Sequence, residues 1–265
     1  EIRACLLRRE RRQIAEAALV DADDGDVRVR RFAHGTEQSD EDVTAVVGRA
    51  EGRELLAKLV QKTGQFITNF PVNGFLAHDR LAQGRQDLVT VRIMGMADGG
   101  PALDYTVNSA VGYPDLTGTG PDPVNHVLPA WDLLTGAYAA FAMLAALRHR
   151  DATGFGQEVR VPLSDVAIGT VANLGSLAEV LTNGANRERL GNAVYGAFGR
   201  DFVTADGVRL MIMAITPRQW SGLVDVLGIA TEVAAIEAQR CVSFAKDEGT
   251  RFEHRDALFP LVEAK

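Results

Sequence analysis

Asp132 is the carboxylate that its neighbours frame most sharply. It lies in Pro129-Ala-Trp-Asp-Leu-Leu-Thr-Gly136, and the run from Leu133 to Arg150 that follows has no proline and Gly136 as its only glycine. Alanine and leucine dominate that run and are strong helix formers. It therefore reads as one long helix, with Arg148, His149 and Arg150 at the end where the macrodipole favours cations. Asp132 then stands at the N-cap position, where a carboxylate accepts from free N–H groups of the first turn. Two uses are open to it, a cap or a reacting group, and the local pattern alone favours the cap. Gly136, Ala139 and Ala140 follow on the same face and are small enough for a backbone or a ligand to come close. His126 is the nearest side chain able to carry a proton near neutral pH. Cys5 and Cys241 lie far apart and without metal-ligand spacing, so no metal site and no disulfide framework is expected.

The elements that must position Asp132 read as an α/β layer. Glu51 to Lys62 places Leu55, Leu56, Leu59 and Val60 on one helical stripe, with Gly64 as its C-cap. Gln65 to Phe70 reads as a strand stopped by Pro71, Phe75 to Gln83 as a short helix, and Asp87 to Met94 as a strong strand. Helix, strand, helix, strand implies a parallel sheet whose ligands gather at the strands' carboxyl ends, here Asn69-Phe70 and Met94-Gly95. Residues 97–128 read as a long irregular segment with one helical turn over Val107 to Val111. Past the alanine-rich helix come a turn at Thr153-Gly-Phe-Gly156, a strand from Glu158 to Leu163, and a helix capped by Ser164 and Asp165 that runs to Thr182. The Gly-x-Gly of that turn follows a helix and precedes a strand, the reverse of a phosphate-cradling loop.

Residues 1–45 form an unassigned N-terminal segment. Ile14 to Val20 suits a helical turn or two, Asp21 to Asp26 a solvated loop, and Val27 to Arg30 a strand. Residues 46–190 read as the large α/β domain, and residues 191–265 as a smaller one. The smaller domain opens with a hairpin turning at Asp206-Gly207, then a helix capped by Thr216, then mainly helix over 231–263.

The 265 residues are 46% apolar and 24% charged, an ordinary globular composition. A net charge of −7 argues against non-specific nucleic-acid binding, and Arg8-Arg9-Glu10-Arg11-Arg12 reads as a solvated face. No stretch reads as a bilayer span and no signal-peptide core opens the chain, so a cytoplasmic protein with no membrane partner is expected. The chain begins with Glu1 rather than methionine, as a piece of a longer protein would.

Several segments in order resemble the class III CoA-transferase family. They are Glu51-Gly-Arg-Glu-Leu-Leu56, Asn69-Phe70, Leu88-Val-Thr-Val-Arg-Ile-Met-Gly95, Gly100-Pro101, Asp104, Asp132-x-x-Thr-Gly136, Leu144-Ala-Ala-Leu-Arg148, Thr153-Gly-Phe-Gly-Gln-Glu-Val159, Leu163-Ser-Asp165 and Phe202-Val-Thr-Ala-Asp-Gly207. Any one is weak; the ordered set, over about residues 50–260, is specific. The resemblance implies a Rossmann-like parallel-sheet large domain, part of a smaller α+β domain and an interlocked homodimer. It implies Asp132 as a nucleophile toward an acyl-CoA thioester, through a mixed anhydride to an aspartyl-CoA, with a second carboxylate collecting the CoA. A carboxylate nucleophile needs no base beside it, and helix N-terminal N–H groups would steady the oxyanions. No cofactor is implied beyond the CoA thioester that is the substrate. Asn69, Phe70 and Arg80 are carried over as CoA-binding residues, Arg80 through a two-residue insertion. The usual Asn-Phe-Arg-Pro-Gly reads Asn69-Phe-Pro-Val-Asn-Gly74 here, without its arginine. Val127 to Asp132, Tyr195 to Phe202 and Ala214 to Trp220 resemble a branch that moves CoA between the two carboxyl groups of one C5 dicarboxylate, mesaconate. A racemase branch is the first rival. It needs a histidine where Leu103 stands, and leucine exchanges no proton. The second rival is a non-catalytic CoA-binding remnant, because the family's N-terminal and C-terminal segments are not recognised.

Overall fold

The computed structural model describes residues 18–23, 26–31 and 49–265. By their contacts the described residues divide into two compact units. The first takes those up to Gly112 together with His126–Thr182; the second takes Tyr113–Asn125 and Asn183–Lys265.

The first unit is built on a five-stranded sheet of order β2-β1-β3-β4-β5. Its strands are β1 (Ala18–Asp23), β2 (Asp26–Arg31), β3 (Gln65–Thr68), β4 (Val89–Met94) and β5 (Gln157–Pro162). β1 to β3, β3 to β4 and β4 to β5 are parallel; β2 runs antiparallel on the edge. The mixed α/β class with a parallel sheet is thus as expected. Two N-terminal expectations are corrected. Ala18 to Val20 belong to a strand, not a helical turn, and Asp21 to Asp23 complete it rather than forming a loop. Pairing with β2 and β3 overrides the local preference. Residues 14–17 lie outside the described residues, and Val27–Arg30 falls within β2.

The helices up to residue 183 are α1 (Ala50–Thr63), α2 (His78–Ala82), α3 (Asp104–Ala110), α4 (Tyr113–Leu116), α5 (Ala130–Thr153), α6 (Leu163–Asn173) and α7 (Ser176–Asn183), of which α4 belongs to the second unit. α1 ends as expected at Gly64, whose φ of 70° lets its N–H reach the Val60 carbonyl. Its stripe is narrower than expected. Gly52, Leu56 and Val60 are buried, while Leu55 and Leu59 are exposed. Strand alternation gives the sheet two unlike faces. Val91 and Val161 pack with Ala139 of α5, Val166 of α6 and partly buried Ile67, Ile93 and Leu134. On the other face Phe66 joins Leu56 and Val60 of α1, Leu76, Leu81 of α2 and Leu88. The helix expected from Ser164 to Thr182 is two, α6 and α7, broken at Gly175 with φ 82°. Pro162 precedes α6, so Ser164 and Asp165 lie in its first turn instead of capping it.

α5 corrects a further expectation. At 24 residues it is long and apolar enough, by length and composition, to cross a membrane. Here it packs along β4, β5 and α6.

The second unit holds the antiparallel hairpin β6 (Phe198–Val203) and β7 (Arg209–Ala214), turning through Gly207 as the sequence predicts. Helices α8 (Pro217–Leu227), α9 (Ala230–Arg240), α10 (Glu248–Glu253) and α11 (Arg255–Glu263) pack on it around Phe198, Trp220, Phe244 and Leu258. Thr216 caps α8, its side chain accepting from the Gln219 N–H, as expected.

Candidate active site

The direction of α5 decides where Asp132 lies. At the helix's C-terminal end Arg150 Nη1 donates to the Gly64 carbonyl just before β3, and the Gly156 N–H donates to the Gln86 carbonyl just before β4. That end is therefore at the amino edge of the parallel strands, and the N-terminus of α5 is at their carboxyl edge. Asn69 and Phe70 follow the last residue of β3 at the same edge. Of the four predicted site residues, Asp132, Asn69 and Phe70 thus share the edge where parallel sheets hold ligands.

Asp132 is not the N-cap. The helix begins at Ala130 with Pro129 before it, so Asp132 is the third helical residue. The cap comes from another helix. Asp104, first residue of α3 and 3% exposed, accepts the Trp131 N–H at 2.8 Å and the Asp132 N–H at 3.2 Å through Oδ2. Its Oδ1 pairs with His126 Nε2. The Trp131 indole N–H donates to Asn108 Oδ1, one turn along α3. α3 itself starts cleanly because Thr106 Oγ1 accepts from the Leu103 N–H.

This arrangement changes the roles assigned from sequence. Two first-turn N–H groups expected to steady an oxyanion are already taken by Asp104. His126 is committed to the same carboxylate rather than free as a base. The Asp132 carboxylate, in contrast, is exposed and has no hydrogen bond or ion pair among the described residues. Partial burial, and then the neighbouring Asp104 charge, push its pKa above the ordinary carboxylate range. A more basic carboxylate is a stronger nucleophile toward an acyl carbonyl. The small-residue face is also redistributed. Ala139 is buried against the sheet, whereas Gly136 and Ala140 are exposed, and a Cβ added at Gly136 meets nothing within 4 Å.

Asn69 is half-buried. Phe70 makes an edge contact with Phe75, with ring centroids 5.5 Å apart, and borders the core beneath α1. Arg80 is exposed on α2, which packs on the sheet face opposite α5, and it makes no hydrogen bond or ion pair among the described residues. The sequence reading assigned no task to Asp104, although it lies in the motif order, nor to Arg92. The signal for Arg92 was visible: a charge in the apolar run Val89 to Met94.

Residues 32–264 match CoA-transferase family III. The chain belongs to that family. It is 42% identical over 238 residues to the 2-methylfumaryl-CoA isomerase of Chloroflexus aurantiacus, covering 88% of this chain and 58% of that protein. It is 30% identical over 223 residues to the succinate–glutarate CoA-transferase of Agrobacterium fabrum, covering 79% and 54%. A crystal structure of a CaiB/BaiF family protein from Brucella suis superposes with a TM-score of 0.65 at 29% identity, over 82% of this chain and 58% of that one. The chain thus spans somewhat more than half the length of these relatives, and CoA-transferring enzymes are its kin.

Proposed function

We propose that this chain carries the acyl-transfer centre of a CoA-transferase in which Asp132 is the covalent nucleophile. Its carboxylate attacks the thioester carbonyl and expels CoA thiolate, leaving a mixed anhydride. The thiolate attacks the aspartyl carbonyl and releases the substrate acid, giving an aspartyl-CoA thioester. A second carboxylate repeats the two steps in reverse and leaves with the CoA. No proton need be moved at carbon, in keeping with Leu103 and with a His126 already held by Asp104. The observation that carries the reading is that Asp132 stands unengaged at the carboxyl edge while a different carboxylate caps its helix.

The substrate we infer is mesaconyl-CoA (2-methylfumaryl-CoA), whose two carboxyl groups would act in turn as donor and acceptor. The 42% identity with the Chloroflexus isomerase supports it. CoA would contact Asn69, Phe70 and Arg80. A second copy of the chain would cover the exposed apolar stripe Leu133, Phe141 and Leu144 of α5.

The test is incubation with mesaconyl-CoA and hydroxylamine or borohydride, followed by peptide mass spectrometry. CoA should move from C1 to C4 and the trapped adduct should map to Asp132. Full transfer by Asp132→Ala would refute the assignment, and α-deuteration of a chiral 2-methylacyl-CoA in deuterated water would favour the racemase reading.

A further inference from the structure

Arg92 lies at the centre of β4 with its side chain fully buried, on the sheet face away from α5. A buried guanidinium persists only where its donors are satisfied. Its Nε donates to Glu158 Oε1 at 2.7 Å on the adjacent strand β5. Nη1 donates to the Phe70 carbonyl at 2.7 Å and the Pro71 carbonyl at 2.9 Å, and Nη2 donates to the Leu76 carbonyl at 2.9 Å. Glu158 is held in turn by Arg160, which donates to its Oε2. Three of the four bonds go to backbone carbonyls of one loop, residues 69–77, which runs from the end of β3 into α2.

That loop contains Pro71, Asn73 and Gly74, which are exposed, and has little regular structure. Left to itself such a segment would sample many paths. The rigid fork of Arg92 grips both its entry, at Phe70 and Pro71, and its exit, at Leu76. β4 and β5 supply the fixed base, since Arg92 and Glu158 lie on strands paired along their whole length, β5 at the sheet edge. At the far end of the grip His78 Nδ1 bonds Thr90 Oγ1 on the same sheet face at 2.9 Å, anchoring the start of α2.

We infer that Arg92 is a positioning residue for CoA recognition: it touches no substrate, but sets the path of the loop that presents Asn69 and Phe70 and delivers Arg80. The inference rests on the CoA-binding role proposed above for those three residues. A lysine keeps the charge yet lacks the fork, and cannot serve three carbonyls and a carboxylate together.

The experiment is a comparison of the parent protein with Arg92→Lys, Glu158→Gln and Asp132→Asn. It uses calorimetry with CoA, steady-state kinetics with mesaconyl-CoA, and amide hydrogen exchange over residues 69–82. Arg92→Lys should weaken CoA binding and raise KM by about ten-fold or more, since CoA must then order a loop that the parent holds in place beforehand. Its kcat should stay within about two-fold of the parent, and exchange should rise in 69–77 while β4 and β5 stay protected. Glu158→Gln, which leaves the arginine in place, should shift the same quantities in the same direction by less. It carries the test should Arg92→Lys fail to fold. Unchanged CoA affinity with a lower kcat, or faster exchange spread evenly over the first unit, would overturn the inference. Asp132→Asn separates the two readings. Transfer that survives in that variant sinks the proposed chemistry while the Arg92 result stands. Parent-like CoA affinity in Arg92→Lys sinks the positioning role while the chemistry stands.

Discussion

The Asp104 carboxylate accepts the backbone N–H of Asp132 at 3.2 Å, so one buried carboxylate holds the helical turn that carries the other. The pairing does two things at once. It satisfies the first-turn N–H groups of Trp131 and Asp132, while the Asp132 side chain makes no hydrogen bond or ion pair among the described residues. It also puts a like charge close by, which adds to partial burial in raising the Asp132 pKa.

Asp132→Asn tests both effects. Because the folded pKa of Asp132 lies above its unfolded value, ionisation disfavours the folded state. That cost is absent below the unfolded carboxylate pKa, where both states are protonated, and is complete once the pH passes the raised folded value. Thermal unfolding against pH should show the variant melting above the parent at neutral pH and converging with it in acid, while CoA transfer is lost. A lower melting temperature at neutral pH would mean that the carboxylate is structural after all.

Asp104→Asn keeps an acceptor oxygen for Trp131 and Asp132 but removes the like charge. The acid limb of kcat/KM should move to lower pH, with stability little changed. Asp104→Ala deletes the cap as well and should cost about 1–2 kcal/mol in urea unfolding. If the acid limb of Asp104→Asn stays where the parent's lies, Asp104 does not tune Asp132.

Glu158 has its pKa lowered. Burial works upward, and the hydrogen bonds from Arg92 and Arg160 outweigh it. Its contribution to stability is therefore present above the unfolded carboxylate pKa and is lost as the pH falls through the depressed folded value. Urea midpoints of Glu158→Gln should fall furthest below the parent's at neutral pH and meet them in acid. Arg92→Met leaves the largely buried Glu158 with only the exposed Arg160 to pair with, strips three loop carbonyls of their donor, and should cost about 3–5 kcal/mol.

Two glycines separate packing from function. A Cβ on Gly156 would lie 1.9 Å from the Leu88 carbonyl oxygen, so Gly156→Ala should destabilise by about 1–3 kcal/mol. A Cβ on Gly136 meets nothing within 4 Å, and in a helix interior alanine should stabilise by about 0.5–1 kcal/mol. If substrate or a second chain comes against that face, Gly136→Ala will be more stable and less active. Equal activity would assign the glycine no role in recognition.

The apolar stripe of α5 gives a test of assembly. Phe141 is 71% exposed and Leu144 67%. Sedimentation of Phe141→Lys together with Leu144→Glu should show a lighter species than the parent. Identical sedimentation would place any self-association elsewhere.

The order of elements, the α5 run, the cap at Gly64, the hairpin at Gly207 and the motif series around Asp132 were legible in the sequence, because each rests on local preference or short-range pattern. Strand membership of Ala18–Asp23 was not, since it comes from pairing with β2 and β3. The break at Gly175 and the division of Gly136, Ala139 and Ala140 between solvent and sheet were hidden as well; helical spacing alone does not say which side meets a sheet. Above all, the sequence determined that a carboxylate opens the long helix, and only the tertiary structure decided that this carboxylate is not the cap. That depended on Asp104, 28 residues earlier, reaching the same turn. Hydrogen bonds between groups so far apart in the chain exist only once α3 and α5 pack, and they leave no periodic trace in the sequence.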